Sequence, residues 1–243
     1  MTLLNEVVAF FADPAHWSGT DGIPIRVIEH VEASALSVLV AALVALPIGL
    51  AVGHTGRGAF LVSSVANLGR ALPSFALLLM LIPIAVDLSL DFSTWPIIGA
   101  MVLLAVPPMI TNAHAGMREV DRHLVEAARG MGMNGRQVLL RVELPLAMPV
   151  LLTGVRLAAV QVVATYTLGA VAGGGGLGRY IYDGFARQEP GRMVAGAVLV
   201  ALLAIATDAG FGVVARATEP RGGRGPVRAR EAPVVRGAVD PGV

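Results

Sequence analysis

The length of the apolar runs constrains this chain more than any other feature. Blocks that approach or exceed 20 residues recur along it, among them residues 33–52 and 193–214. A hydrocarbon layer roughly 30 Å thick is crossed by about 20 helical residues. Inside such a layer every backbone N–H and C=O must find its partner within the protein, and a helix supplies those partners locally. Charged residues make up only 14% of the chain against 55% apolar, where a soluble domain carries about 25% charged. A single soluble core of this size has no use for so many apolar positions in uninterrupted blocks. The expectation is an all-α, polytopic membrane bundle with about five transmembrane helices.

The predicted spans cover residues 33–52, 60–86, 95–115, 146–170 and 193–214. Each carries a perturbing feature: Pro47 and Gly49 in the first, Asn67, Arg70, Pro73, Ser74 and Pro83 in the second, and the pair Pro107–Pro108 in the third, with Thr111, Asn112 and His114 after it. Prolines inside spans are tolerated where neighbouring helices cover the freed backbone groups. The fourth span holds Pro149, Thr153, Gly154, Arg156, Gln161, Thr165 and Tyr166, and the fifth has Asp208 near its end. Small and hydroxyl residues at this density suit close helix packing. Residues 1–31 read as an extracytoplasmic segment with an interfacial helix and Trp17 at headgroup level. They lack the basic start of a secretory signal and carry Glu6. Residues 32–215 form the membrane domain, and residues 216–243 an Arg/Gly/Pro-rich tail of disordered composition.

Arginine placement sets the orientation, because basic residues concentrate in cytoplasmic loops. With five spans, twelve arginines fall on the side of loop 54–58, loop 116–145 and the tail, and four on the other. The twelve-arginine side is expected in the cytoplasm, which puts the N-terminus outside and the C-terminus inside.

All eighteen basic residues are arginine. A phosphate-binding P-loop needs a lysine, so this chain does not hydrolyse ATP by that route. The run Gly173 to Gly176 plus Gly178 has no strand before it and no lysine after it, and reads as a flexible or tightly turned loop. Arg70, buried in a span, is either paired to a carbonyl or polar neighbour, snorkelling toward the surface, or part of a solute path.

The most distinctive polar stretch is residues 119–145. It opens with helix-forming residues, Glu119, Asp121, Arg122, Leu124, Glu126, Ala127 and Ala128. Gly130 and Gly132 then stop the helix, since glycine accepts the left-handed conformation that a helix end needs. Asn134 is the expected N-cap of a second short helix through Arg141, and Pro145 closes the unit. The expectation is a helix–turn–helix on the cytoplasmic side.

This hairpin resembles the EAA loop of ABC importer permeases. The matching positions are Glu126, Ala127 and Ala128, three residues, Gly132, nine residues, Val142, one residue, then Leu144 and Pro145, with Val where the family usually has Ile. More narrowly, Arg70-Ala71-Leu72-Pro73-Ser74, then Val106-Pro107-Pro108-Met109-Ile110-Thr111-Asn112 with Gly116, and Gly175-Gly176-Leu177-Gly178 with Ile181 and Gly184, are similar to permeases for glycine betaine, choline, proline betaine and related osmoprotectants. Permeases for methionine and other amino acids share parts of these stretches. The resemblance covers about residues 30–215. It implies a transport subunit rather than an enzyme, with no cofactor of its own. ATP and Mg would sit on a separate ABC ATPase, an extracytoplasmic binding protein would deliver substrate, and a second permease copy or homologue would complete the pore. Glu126, Ala127, Ala128, Gly132, Val142, Leu144 and Pro145 would couple to the ATPase. Asn67, Arg70, Thr111, Asn112, Thr165 and Tyr166 are the candidates for the translocation path, and each reads equally as a packing residue. No metal site is expected. Three further readings compete: a permease for amino acids or other small organic solutes, a self-sufficient channel or secondary transporter, and a membrane scaffold with no transport. The second would call for internal repeats or an embedded coupling carboxylate, and the third leaves the spacing of the polar loop unexplained.

Overall fold

In the computed structural model, which describes residues 2–71 and 73–218, the described residues form helices joined by short loops, with no strand among them. Ten helices follow one another: α1 (Leu3–Ala12), α2 (Ile23–Thr55), α3 (Ala59–Ala71), α4 (Ser74–Asp87), α5 (Trp95–Glu119), α6 (Arg122–Gly130), α7 (Gly135–Val138), α8 (Leu144–Thr165), α9 (Gly178–Ala186) and α10 (Pro190–Thr218). A π-helical segment, Leu139–Glu143, joins α7 to α8, and a 3₁₀ segment, Tyr166–Ala172, extends α8.

Four stretches are long and apolar enough to cross a membrane: Ile23–Thr55, Trp95–Glu119, Gly135–Ala172 and Pro190–Arg216. The expected second span is not one rod. It is the pair α3 and α4, bent by 96°, and only if the pair counts as one span does the number reach five. Pro73 stands at the N-cap of α4 with extended backbone. Its ring removes the N–H that a continuous helix would use.

α2 also differs from expectation. It begins at Ile23, ten residues before the apolar run, and has 33 residues. That is about 50 Å at 1.5 Å per residue, longer than the hydrocarbon layer. Its first three turns carry Arg26, Glu29, His30 and Glu32, whose polarity hid a helix that tertiary contacts complete.

α2, α5 and α8 form the centre of the bundle. Ala41, Ala45, Ala100, Ala105 and Ala158 are buried where they meet, with Met101, Met109 and Val162 filling between. Small residues let the backbones approach. A Cβ added at Gly49 would lie 2.6 Å from Ala113 Cβ, and one at Gly53 2.4 Å from Met117 Cβ. α10 lies against α8 and α9 and leaves Leu202, Ile205 and Val213 more than half exposed, as a lipid-facing helix does. α1 packs on α10 through Phe10, and Trp17 donates its ring N–H to Phe11 O at 2.8 Å. Most of the arginine-rich tail, residues 219–243, lies outside the described residues.

Candidate coupling hairpin and membrane path

The hairpin forms as its sequence dictates, with one change. α5 ends at Glu119, and the Asp121 side chain accepts from His123 N at 2.9 Å to start α6. α6 ends at Gly130. Gly132 N then donates to Arg129 O at 2.9 Å and Met133 N to Ala128 O at 3.1 Å, the paired bonds of a glycine-terminated helix. Gly132 has φ +84°, and nothing lies within 4 Å of a Cβ built there. Its requirement for glycine is therefore conformational, not steric. Asn134 accepts from Gln137 N at 3.0 Å while the Gln137 side chain accepts from Asn134 N at 2.8 Å, a reciprocal capping box.

The change concerns Pro145, which does not close the second helix. From Gly135 the helix passes through the π segment into α8 and continues to Ala172, 38 residues in all. Pro145 falls at the start of α8, directly after the π segment. The wider π turn loosens the backbone just where the proline ring lacks an N–H to give. The second arm of the hairpin is thus the beginning of a span.

Ala128 is buried, whereas Glu126, Ala127, Gly132 and Pro145 are exposed and Val142 and Leu144 half-buried. Of the two alanines in the matching stretch, only Ala127 faces outward. Leu144 packs on a cluster of Ala113, Met117, Val120, Ala147 and Leu151. A polar cavity of about 230 Å³ lies behind the hairpin, lined by His54, Arg118, Arg122, Glu126, Arg129 and Glu143 among others. Glu126 and Arg129 have no ion-pair partner among the described residues. Glu143 is only 6% exposed and is hydrogen-bonded to His54 Nδ1 at the end of α2. Nothing in the sequence links these two positions, 89 residues apart.

The six path candidates do not share one site. Thr111 and Asn112 line a cavity of about 250 Å³ with Ala66, Gly69, Leu104 and Gln161. Thr111 Oγ1 is buried without a hydrogen-bond partner among the described residues. Asn112 Nδ2 donates to Pro108 O at 2.8 Å and packs on Gly154, where an added Cβ would sit 2.6 Å from Asn112 Cβ. Gln161, one polar residue among several in its span, gains meaning only from this cavity. Tyr166 lines a different cavity near the glycine loop. Asn67 is exposed and Thr165 half-buried, and neither lines these two cavities. Arg70 belongs to α3, but its side chain lies outside the described residues.

The glycine loop is tightly held. Gly173 and Gly176 have φ of +86° and +80°. Gly176 N donates to Glu29 Oε2 at 2.8 Å and Leu177 N to His30 Nδ1 at 3.2 Å. His30 Nε2 in turn bonds Val163 O at 2.8 Å, so Nδ1 accepts and Nε2 carries the proton. The fully buried His30 thereby joins α2, α8 and the loop. Tyr180 donates its hydroxyl to Asp21 O at 2.6 Å, and burial raises that phenol above its ordinary range. A second unforeseen tie lies between spans. Arg156 donates through Nε and Nη2 to both Asp208 carboxylate oxygens at 2.6 Å, which answers the charge of each inside the layer.

Comparison with known proteins agrees with this architecture. The chain is 34% identical over 81% of its length to the glycine betaine/carnitine/choline transport system permease protein OpuCB of Bacillus subtilis, covering 88% of that protein. It is 35% identical over 80% of its length to the choline transport system permease protein OpuBB of the same organism, covering 87% of it. The carnitine transport permease protein OpuCB of Listeria monocytogenes is 32% identical over 86% of this chain and 91% of its own length. Among solved structures, a chain of the MetNI methionine ABC transporter in an inward-facing conformation superposes with a TM-score of 0.74 at 24% identity, over 86% of this chain and all of that one. That likeness is one of fold. Residues 41–220 match the family described as binding-protein-dependent transport system inner membrane component. The chain is a multi-pass protein of the cell membrane and belongs to that family of ABC importer permeases.

Proposed function

We propose that this chain is the membrane-spanning permease of an ATP-driven importer for quaternary-ammonium osmoprotectants such as choline, glycine betaine, carnitine or proline betaine. The observation that carries the mechanism is the unbroken helix from Gly135 to Ala172. It joins the exposed hairpin at one end to Gln161, which lines the mid-bundle cavity. A separate ABC ATPase, holding the ATP and Mg, grips the hairpin at Glu126, Ala127 and the Gly132 turn on the cytoplasmic side. Closure of the ATPase tilts α8 as a rigid body, and the cavity of Thr111, Asn112 and Gln161 opens alternately to each side. Substrate arrives on an extracytoplasmic binding protein, and a second copy or a homologous permease completes the pore. The substrate class is drawn from the relatives named above. A binding-protein-dependent family leaves no place for a self-sufficient channel.

The chain has no cysteine, which makes the test direct. A single cysteine at Ala127 or Arg129 is expected to crosslink to the ATPase in the assembled complex. Cells carrying the complex are expected to accumulate labelled choline or glycine betaine only when this subunit is present. Labelling of those cysteines from outside the cell would overturn the coupling mechanism. Uptake of an amino acid with no uptake of any quaternary amine would overturn the substrate class.

A further inference from the structure

We propose that the cavity beside the glycine loop binds a quaternary-ammonium cation through Glu32 and Tyr166, and that it favours net cations such as choline over zwitterions such as glycine betaine. The inference rests on the function proposed above and names a site for its substrate. The cavity has a volume of about 340 Å³, within the range of small-molecule sites, roughly 300–1,000 Å³. Its polar lining comes from Glu29, Glu32, Thr94 and Tyr166, and its apolar lining includes Leu36 and Ile98.

One of the two carboxylates is unspent. Glu29 is committed, because it accepts from Gly176 N and pairs with Arg26 at 2.7 Å. Glu32, one helical turn along α2, is exposed and has no hydrogen bond or ion pair among the described residues. Tyr166 is only 7% exposed, and it lines the cavity. The ring is fixed in place: His30 meets it edge-on at 4.8 Å, and a Cβ at Gly176 would come within 3.0 Å of Cε1. A rigid aromatic ring beside a free carboxylate and apolar walls is the chemistry that holds a trimethylammonium group, by charge and by cation–π attraction.

The surrounding charge sets the selectivity. Asp21 and Glu29 share the one guanidinium of Arg26, which leaves Glu32 unopposed and the site net negative. A choline hydroxyl is tolerated there, but the carboxylate of a zwitterion is repelled. The glycines are part of the construction. A side chain at Gly175 would strike Glu29 Oε2 at 2.5 Å and push the loop off the wall of the cavity.

The test uses the complete importer in proteoliposomes, with its ATPase and with binding protein loaded with either labelled choline or labelled glycine betaine. Glu32→Gln is expected to lower kcat/KM for the choline-loaded protein by up to about fivefold, the upper end for one exposed charge pair, and to leave the betaine rate nearly unchanged. Tyr166→Leu is expected to slow both more than Tyr166→Phe does, since both substrates carry the trimethylammonium group and only the Phe variant keeps the ring. An unchanged choline-to-betaine ratio in Glu32→Gln overturns the proposal, as does equal behaviour of the Phe and Leu variants where Glu32→Gln fails to assemble. An unaltered importer that carries neither substrate refutes the proposed function itself, a result distinct from an importer that carries both yet ignores Glu32.

Discussion

Gly49→Ala tests whether the α2–α5 contact is as close as its geometry implies. Gly49 and Gly53 are four residues apart on one face of α2, the spacing by which helices approach closely in membranes. An alanine methyl at position 49 would stand 2.6 Å from Ala113 Cβ and 2.9 Å from Ile110 O, both on α5. Carbon atoms rest at about 3.5–4.0 Å, so the helices must separate by about 1 Å or bend. Overpacking of this kind costs about 1–3 kcal/mol. For a chain of this size that lowers a thermal midpoint by about 2–4 °C per kcal/mol. The assay is thermal unfolding of the detergent-purified complex, read by loss of its gel-filtration peak. Ala113→Gly in the same chain removes the 2.6 Å clash but not the contact with Ile110 O, so it should restore part of the loss. Gly210→Ala is the control, because nothing lies within 4 Å of its added Cβ. A Gly49→Ala protein as stable as the original, or no recovery with Ala113→Gly, would refute the close contact.

Gly132→Val is expected to abolish uptake while membrane insertion continues, because a left-handed φ costs a non-glycine residue about 1–2 kcal/mol and a branched one more. Gly132→Asn, which tolerates that conformation, should retain most uptake, and equal loss in both variants would show a steric requirement instead. Asp208→Asn leaves the Arg156 charge without its carboxylate inside a span, where an unanswered charge is destabilising. The resulting fall in unfolding midpoint should be largely recovered by the exchange Arg156→Asp with Asp208→Arg, and absence of recovery would mean the pair is incidental.

What the sequence made legible was local. The hairpin's turn was readable because glycine and asparagine act through their own backbone, at φ +84° in Gly132 and in the Asn134 cap. The apolar runs were readable because a hydrocarbon layer imposes a length. The bend at Pro73 and the passage through Pro145 were not, although both are prolines. Whether a proline breaks a helix depends on whether the neighbouring turns can widen, as the π segment at Leu139–Glu143 does. The pairs His54–Glu143, His30–Val163 and Arg156–Asp208 join residues 89, 133 and 52 positions apart. No periodicity encodes such partners, and for the same reason only Thr111 and Asn112 of the path candidates fall together in one cavity.

Two of these three pairs converge on α2. Near its N-terminus Glu29 and His30 fasten the glycine loop and the far end of α8, and at its C-terminus His54 fastens the π segment just before α8 begins. Between them Gly49 and Gly53 press against α5. A close-packed helix held at both ends and in the middle transmits displacement and does not absorb it. Under the proposed mechanism a push on the hairpin therefore cannot move α8 alone. It must carry α2 with it or break the buried His54–Glu143 contact, and the first course shifts Glu29 and the cavity of Glu32 and Tyr166 at the opposite end of the same rod.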